Sequence, residues 1–225
     1  VIGKPIGHSK SPEIHQHFAN QFDAKIEFRK DEVTPETLET WLADFFSDDG
    51  KGVSITLPLK EAALDYADEI SDRARLASAC NVIYAKDEKL FADCTDGYGF
   101  TKDLEENLKV PIKDKKILIL GAGGAARGII PSIIEKKPAK LKVANRTESK
   151  ALLLREDLEA KVNLKEKNTI FEAGDLSDDF LLDDSYDLVI NSTSISTQAG
   201  ESIGLPKALF KGCLLYTSPS PRDPS

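Results

Sequence analysis

Methionine is absent from the whole chain, position 1 included, and the opening Val1-Ile2-Gly3 reads as the end of a strand cut short. Histidine is almost as scarce. His8, His15 and His17 all fall in one stretch, GHSKSPEIHQH. His15 and His17 are two apart, so on one helix they point to nearly opposite sides. No Cys, Asp or Glu cluster joins His8 at ligand spacing, which excludes a metal site of ordinary pattern. Cysteine is limited to Cys80, Cys94 and Cys213, an odd number without metal-ligand spacing, as expected of a reduced cytosolic protein. No apolar run approaches the ~18 residues of a membrane span. The basic-then-apolar start of a signal peptide is also missing. Cations are the minority charge, 30 against 38 acids, and the net charge of -8 leaves no basic face for gripping nucleic acid. A small anionic ligand is still allowed, because a few local cations suffice for it. There are no internal repeats. The tail, LLYTSPSPRDPS, is Pro/Ser-rich and unpatterned, and residues 217–225 are expected to be non-native or disordered.

What is present is an alternation of strands and helices. Residues 26–29 (IEFR) and 52–58 (GVSITLP) read as strands. Between them, Thr34-Pro35 marks a helix start, and Leu38, Trp41, Leu42, Phe45 and Phe46 give that helix one apolar face. Short helices are expected over 60–67 and 71–79, a hairpin from strands at 81–84 and 89–92, and a helix from about 96 to 108. A break at Val110-Pro111 precedes a second pattern. Residues 116–120 (KILIL) are nearly all apolar, as in a strand buried on both faces. Further strands are expected at 141–144 and 186–190. Strands alternating with helices imply parallel βαβ units. The expected fold is therefore α/β: an N-terminal α/β substrate domain over residues 1–99, then a Rossmann-type doubly wound dinucleotide-binding domain over 100–216.

The second half carries the sharper motif. Gly121-Ala122-Gly123-Gly124-Ala125-Ala126 follows the buried strand and opens an amphipathic helix. The first glycine permits a tight turn, the second lets a pyrophosphate approach the backbone, and the small third residue lets helix and strand pack. Free amides at the helix start complete the phosphate site. The end of the next strand selects the cofactor. An NAD site wants an acid there to accept from the ribose 2′-hydroxyl. This chain has Asn145-Arg146-Thr147 and then Lys150. Arg146 can fork onto a 2′-phosphate, Thr147 can donate to it and Lys150 adds charge, so NADP is favoured.

In the first half, polar groups stand at the ends of apolar segments: Ser9 and Ser11 before a helix, Ser54 and Thr56 alternating with Val53, Ile55 and Leu57, then Lys60, Asn81 and Asp96. Caps, turns and surface charge would explain each one singly. Two hydroxyls near a helix start can also hold a carboxylate through hydrogen bonds and the helix's positive end.

Taken together, GKPIGHSKSPEIHQHF, SITLPLKE, ASACNV, DCTDGYGF, GAGGAARG, ANRT and INSTS resemble the shikimate dehydrogenase family, in family order, from Val1 to about Leu215. The resemblance implies reversible NADPH-dependent reduction of 3-dehydroshikimate to shikimate, on the way to chorismate and the aromatic amino acids. It implies two α/β domains with the active site in the cleft between them. It matches Ser9 and Ser11 to the serines that hold the substrate carboxylate, and Thr56, Asn81 and Asp96 to contacts with the ring hydroxyls. Lys60 matches the catalytic lysine, paired with Asp96. Gly121, Ala122, Gly123, Gly124 and Ala125, and Asn145, Arg146, Thr147 and Lys150, match cofactor contacts. Asp72 matches a position near the cofactor, and Thr193 and Ser194 a loop beside the nicotinamide. A lysine ammonium can stabilise a developing alkoxide and give it a proton.

The chain departs from the family pattern at Ser54 and Cys94, both usually asparagine. Beyond Leu215 the family continues through a strand and a glycine-rich turn to helices that return to the first domain, one of them bringing a substrate-binding glutamine. A family tyrosine that faces substrate aligns with Tyr216. The alternatives are an NAD-using quinate/shikimate dehydrogenase, another two-domain dehydrogenase such as a methylenetetrahydrofolate enzyme, and an inactive fragment of the family. The partner expected is a small molecule, with neither nucleic acid nor membrane, in a cytoplasmic protein.

Overall fold

A computed structural model describes residues 1–193 and 204–217. The chain divides between Thr95 and Asp96 into two compact units.

In the first unit, β1 (Ile2–Gly3) is followed by α1 (Ser11–Gln21), β2 (Asp31–Glu32), α2 (Leu38–Ser47), β3 (Gly52–Ser54), β4 (Glu69–Ile70), α3 (Asp72–Ala77), β5 (Val82–Lys86) and β6 (Lys89–Asp93). β1 and β2 pair in parallel, and the other four form a sheet in the order β3-β5-β6-β4. A parallel bridge from Ile2 to Ile55 links the two. Alternation buries Val53 and Ile55 and leaves Ser54 and Thr56 half-buried on the opposite side. Val53, Ile55, Ile83 and Ala92 meet Leu38 and Leu42 of α2 in one apolar core, with Trp41 and Phe45 at its margin.

The second unit runs α4 (Asp96–Lys102), β7 (Lys116–Leu120), α5 (Gly124–Glu135), β8 (Lys140–Ala144), α6 (Glu148–Lys161), α7 (Leu164–Lys167), β9 (Ile170–Gly174), α8 (Asp178–Leu182), β10 (Leu188–Asn191) and β11 (Leu214–Thr217). Its sheet is parallel throughout, in the order β11-β10-β7-β8-β9. The period of two sorts each strand between two cores. Ile117, Ile119, Leu141, Val143, Leu188 and Ile190 face Ile130 and Ile133 of α5 and Leu154 of α6. Leu118, Leu120, Ala144 and Val189 face Leu181 and Leu209 on the other side. Two covered faces and a reversal of strand order beside β7 make this the doubly wound Rossmann-type arrangement.

Several expected boundaries move. Residues 26–29 form no strand: Asp31 N–H reaches Val1 O at 3.0 Å, so the ladder with β1 starts only at Asp31. The turn Pro35–Thr37 is 3-10 before α2 begins, and residues 60–67 give only the 3-10 turn Ala62–Tyr66. The helix expected over 96–108 is α4 followed by a π-helical turn, Asp103–Asn107. Thr217, expected in the tail, is the last residue of β11, where it registers with Asn191. Residues 218–225 lie outside the described residues.

Candidate active site

In the first unit, Ser11 is the first residue of α1. Ser9 Oγ lies 3.1 Å from Ser11 Oγ and accepts the Ser11 N–H at 3.3 Å, so the two serines are brought together. Lys30 donates through Nζ to Gly7 O at 2.7 Å and to Ser9 O at 3.4 Å. Two hydroxyls, a helix start and an ammonium group thus share one loop, a set suited to an anion. Sequence reasoning missed Lys30; it lies 21 residues from Ser9, and no local pattern links them.

A second group gathers at one end of the sheet. Ile55 N–H donates to Asn81 O at 2.8 Å, Cys80 N–H to Lys60 O at 2.8 Å, and Asn81 N–H to Asp93 O at 3.0 Å. These bonds bring the backbones bearing Thr56, Lys60 and Asn81 to the same edge. Asn81 Oδ1 accepts the Thr95 N–H at 2.9 Å, and its Nδ2 donates to Thr95 Oγ1 at 2.9 Å. Thr95 is a second residue that sequence reasoning missed; a threonine at a strand end carries no distinctive signal.

Beneath it, Asp93 accepts from Ser71 Oγ at 2.6 Å, from Cys94 N–H at 2.7 Å and from both Nε and Nη2 of Arg73. Burial alone would raise the Asp93 carboxyl. The hydrogen bonds from Arg73, Ser71 and Cys94 outweigh it and hold the group below the usual carboxylate range. Asp72 is exposed at the first residue of α3, in this same unit.

One histidine takes a structural place. His15 stacks on Phe28 with centroids 4.2 Å apart, and Phe18 meets it edge-on. Burial, with the nearby N-terminal charge, pushes His15 below its ordinary value. Among the described residues, no group of three His, Cys, Asp or Glu gathers at metal-binding range.

In the second unit, Asp96 is the half-buried first residue of α4. The glycine loop crosses from β7 to α5. Gly121 has φ +105, and a Cβ there would stand 2.9 Å from Ser192 Oγ and 3.2 Å from Thr193 Cγ2. That position needs glycine for backbone and for space. Gly123 differs: it caps α5 at an ordinary φ of -91, and a Cβ there would meet nothing within 4 Å. Its missing side chain leaves open space directly before the helix. No side chain caps α5 and no acid sits in its first turn. Open space and uncapped amides fit a phosphate.

Thr193 lies against Gly121 and is tied to Asn191 Oδ1 through its N–H at 3.1 Å and its Oγ1 at 2.7 Å. Ser194 lies outside the described residues. At the end of β8, Asn145 N–H donates to Gly174 O at 3.1 Å and Nδ2 to Thr147 O at 2.9 Å. Arg146, Thr147 and Lys150 follow, all exposed. Tyr216 Oη donates to Asp103 at 3.4 Å, and its ring meets Phe100 edge-on. Burial, then Asp103, pushes that phenol up.

Comparison with known proteins matches residues 1–83 to the shikimate dehydrogenase substrate binding domain and residues 103–199 to the shikimate / quinate 5-dehydrogenase family. A curated relative from Janthinobacterium sp. (strain Marseille), a shikimate dehydrogenase (NADP(+)), is 38% identical over 216 residues, spanning 96% of this chain and 76% of that protein. The crystal structure of an Ael1 enzyme from Pseudomonas putida is 35% identical with a TM-score of 0.80, covering 96% of this chain and 76% of that one. A shikimate 5-dehydrogenase from Thermus thermophilus, solved with NADP(H) and shikimate, is 29% identical with a TM-score of 0.77, covering 93% of this chain and 73% of that one.

Proposed function

The chain belongs to the shikimate dehydrogenase family, and from that premise we propose that it catalyses the reversible NADPH-dependent reduction of 3-dehydroshikimate to shikimate. The observation that carries the cofactor half is Gly123, whose absent side chain opens space before an uncapped helix start. When bound, NADPH supplies a hydride to the ring ketone.

The chain's own residues do the rest. The substrate domain, residues 1–99, holds the substrate, and the Rossmann-type domain, residues 100–216, holds NADP. Ser9 and Ser11 hold the substrate carboxylate, helped by the start of α1 and the charge of Lys30. This is how a chain of net charge -8 takes an anion. Thr56 and Asn81 contact the ring hydroxyls. The Lys60 ammonium stabilises charge developing on the ketone oxygen and gives up a proton to it; in the reverse direction the neutral amine takes the proton back. Asp96 also contacts a ring hydroxyl and orients the amine.

In the second unit, Gly121, Ala122, Gly123, Gly124 and Ala125 receive the pyrophosphate. Asn145, Arg146, Thr147 and Lys150 receive the adenosine end, Arg146 binding the 2′-phosphate bidentately. Thr193 stands beside the nicotinamide; the family resemblance assigns Ser194 to the same loop and Asp72, in the first unit, to a position near the cofactor. The protein works in the cytoplasm on a small-molecule substrate.

The test is steady-state formation of NADPH from NADP+ and shikimate, with quinate and NAD+ as comparators. NADPH formation from shikimate with NADP+ well ahead of the other pairs is expected. A preference for NAD+ or for quinate would refute the assignment.

A further inference from the structure

We infer that Thr95 and Gly97, the two neighbours of Asp96, are positioning residues that fix where its carboxylate stands; the inference rests on the role given to Asp96 above. Thr95 is tied by hydrogen bonds. Its N–H donates to Asn81 Oδ1 at 2.9 Å, and its Oγ1 accepts from Asn81 Nδ2 at 2.9 Å and lies 3.3 Å from Asn81 Oδ1. A backbone N–H can only donate, so the oxygen of the Asn81 amide must face it. Thr95 therefore also sets which way that amide is turned. The strand end before Thr95 is pinned in turn, because Asp93 O accepts the Asn81 N–H and the Asp93 carboxylate is held by Ser71, Arg73 and the Cys94 N–H.

Gly97 is fixed by shape. A Cβ there would stand 2.3 Å from Ser132 Oγ, 2.6 Å from Gly128 O and 2.9 Å from Ser132 Cβ, all on α5. Only glycine lets α4 begin this close to the helix that opens at the glycine loop. Behind it, the buried Thr101 donates through Oγ1 to Gly97 O at 3.0 Å and locks the first turn. Each neighbour is thus held within its own unit, Thr95 in the first and Gly97 in the second, so the backbone on either side of Asp96 is fixed locally. Proton transfer depends on such placement: an error of about 1 Å can cost roughly 100-fold in rate.

Thr95→Val keeps the volume and the backbone N–H but deletes Oγ1; Thr95→Ser keeps the hydroxyl. Thr95→Val is expected to lower kcat ~10-fold or more and to shift the kcat–pH profile, with the Kd for NADP+ unchanged, while Thr95→Ser stays within ~3-fold of the parent. Gly97→Ala is expected to lower kcat as well, and Gly97→Ala/Ser132→Gly to recover part of it, because the second change removes two of the three close atoms. Parent-like kcat and pH profile in Thr95→Val would overturn the inference. So would a Thr95→Ser variant as impaired as Thr95→Val, or no recovery in the double variant. Asp96→Asn, measured alongside, separates the two ideas: parent activity there removes the role of Asp96 itself. Even then, hydrogen exchange of the Asn81 side-chain amide decides the lock. Slow exchange in the parent and fast exchange in Thr95→Val support it, and equal exchange in both contradicts it.

Discussion

Lys60 sits at the edge where Asn81 and Thr56 gather, its carbonyl fixed by the Cys80 N–H. Lys60→Ala is expected to lower kcat by about 100-fold or more, with a smaller change in KM for shikimate, since general acid chemistry contributes ~10²–10⁴-fold. Near-parent turnover would remove Lys60 from the mechanism. Arg146 is exposed and followed by Thr147 and Lys150. Arg146→Ala is expected to weaken NADP+ binding ~10-fold or more and to leave NAD+ binding little changed, because a charge-assisted hydrogen bond is worth ~1.5–3 kcal/mol. Paired titrations with the two cofactors check this, and an equal loss for both would contradict it. These residues were open to selection as candidates because each stands at the end of a patterned segment or in a family motif. Lys142 was not. It alternates with the apolar Leu141 and Val143, yet it is fully buried, bound to Asp183, donating to Phe180 O at 2.6 Å and lying over the Phe180 ring. Its partners lie some forty residues away, beyond any local pattern.

The glycine loop separates two reasons for glycine within one element. Gly121→Ala meets a positive φ and crowding from Ser192 and Thr193, so it is expected to destabilise the fold by at least ~1–2 kcal/mol. Gly123→Ala meets open space at an ordinary φ, so it is expected to fold with nearly the parent's Tm but to bind NADP+ more weakly. Thermal melts with and without NADP+ distinguish the two, and a Gly123→Ala variant with parent affinity would contradict the phosphate reading. The strand–loop–helix around this motif was readable because KILIL is buried on both faces and the glycines break its pattern. Short elements were harder. Residues 26–29 have the composition of a strand but no ladder partner, and β9 and β11 were not foreseen because their pairing is set by β8 and β10. Pairing is a tertiary property, and a single strand's sequence records only which of its faces is apolar.

Across the molecule, acid stability follows from carboxylates held charged at the strand starts of the second unit. Hydrogen bonding from Lys116, then from Lys140, holds Asp184 far below its ordinary value against the opposing effect of burial. The Lys116 N–H, then Lys115, also hold Asp187 below its ordinary value. A carboxylate lowered in the folded state stabilises the fold above its unfolded value, near ~3.9, and that stabilisation is lost as pH falls through the lowered folded value. Stability is therefore expected to decline modestly below about pH 6.5, where the unfolded His15 takes up a proton before the folded one, and to fall further below about pH 4 as these carboxylates are protonated. Asp184→Asn is expected to lower Tm at neutral pH and to flatten that acid limb; unchanged melting curves in both ranges would contradict it. The α/β class could be read from the alternation of strands and helices; the boundary expected between residues 99 and 100 and the division between Thr95 and Asp96 both fall in DCTDGYGF, a stretch continuous in composition. The central claim, hydride transfer between shikimate and NADP+, is tested most directly with shikimate carrying deuterium on the carbon whose hydroxyl is oxidised. Mass spectrometry of the products is predicted to show one deuterium on the nicotinamide ring of NADPH and none left on that carbon of the product. NADPH without deuterium, or no NADPH at all, would contradict the account.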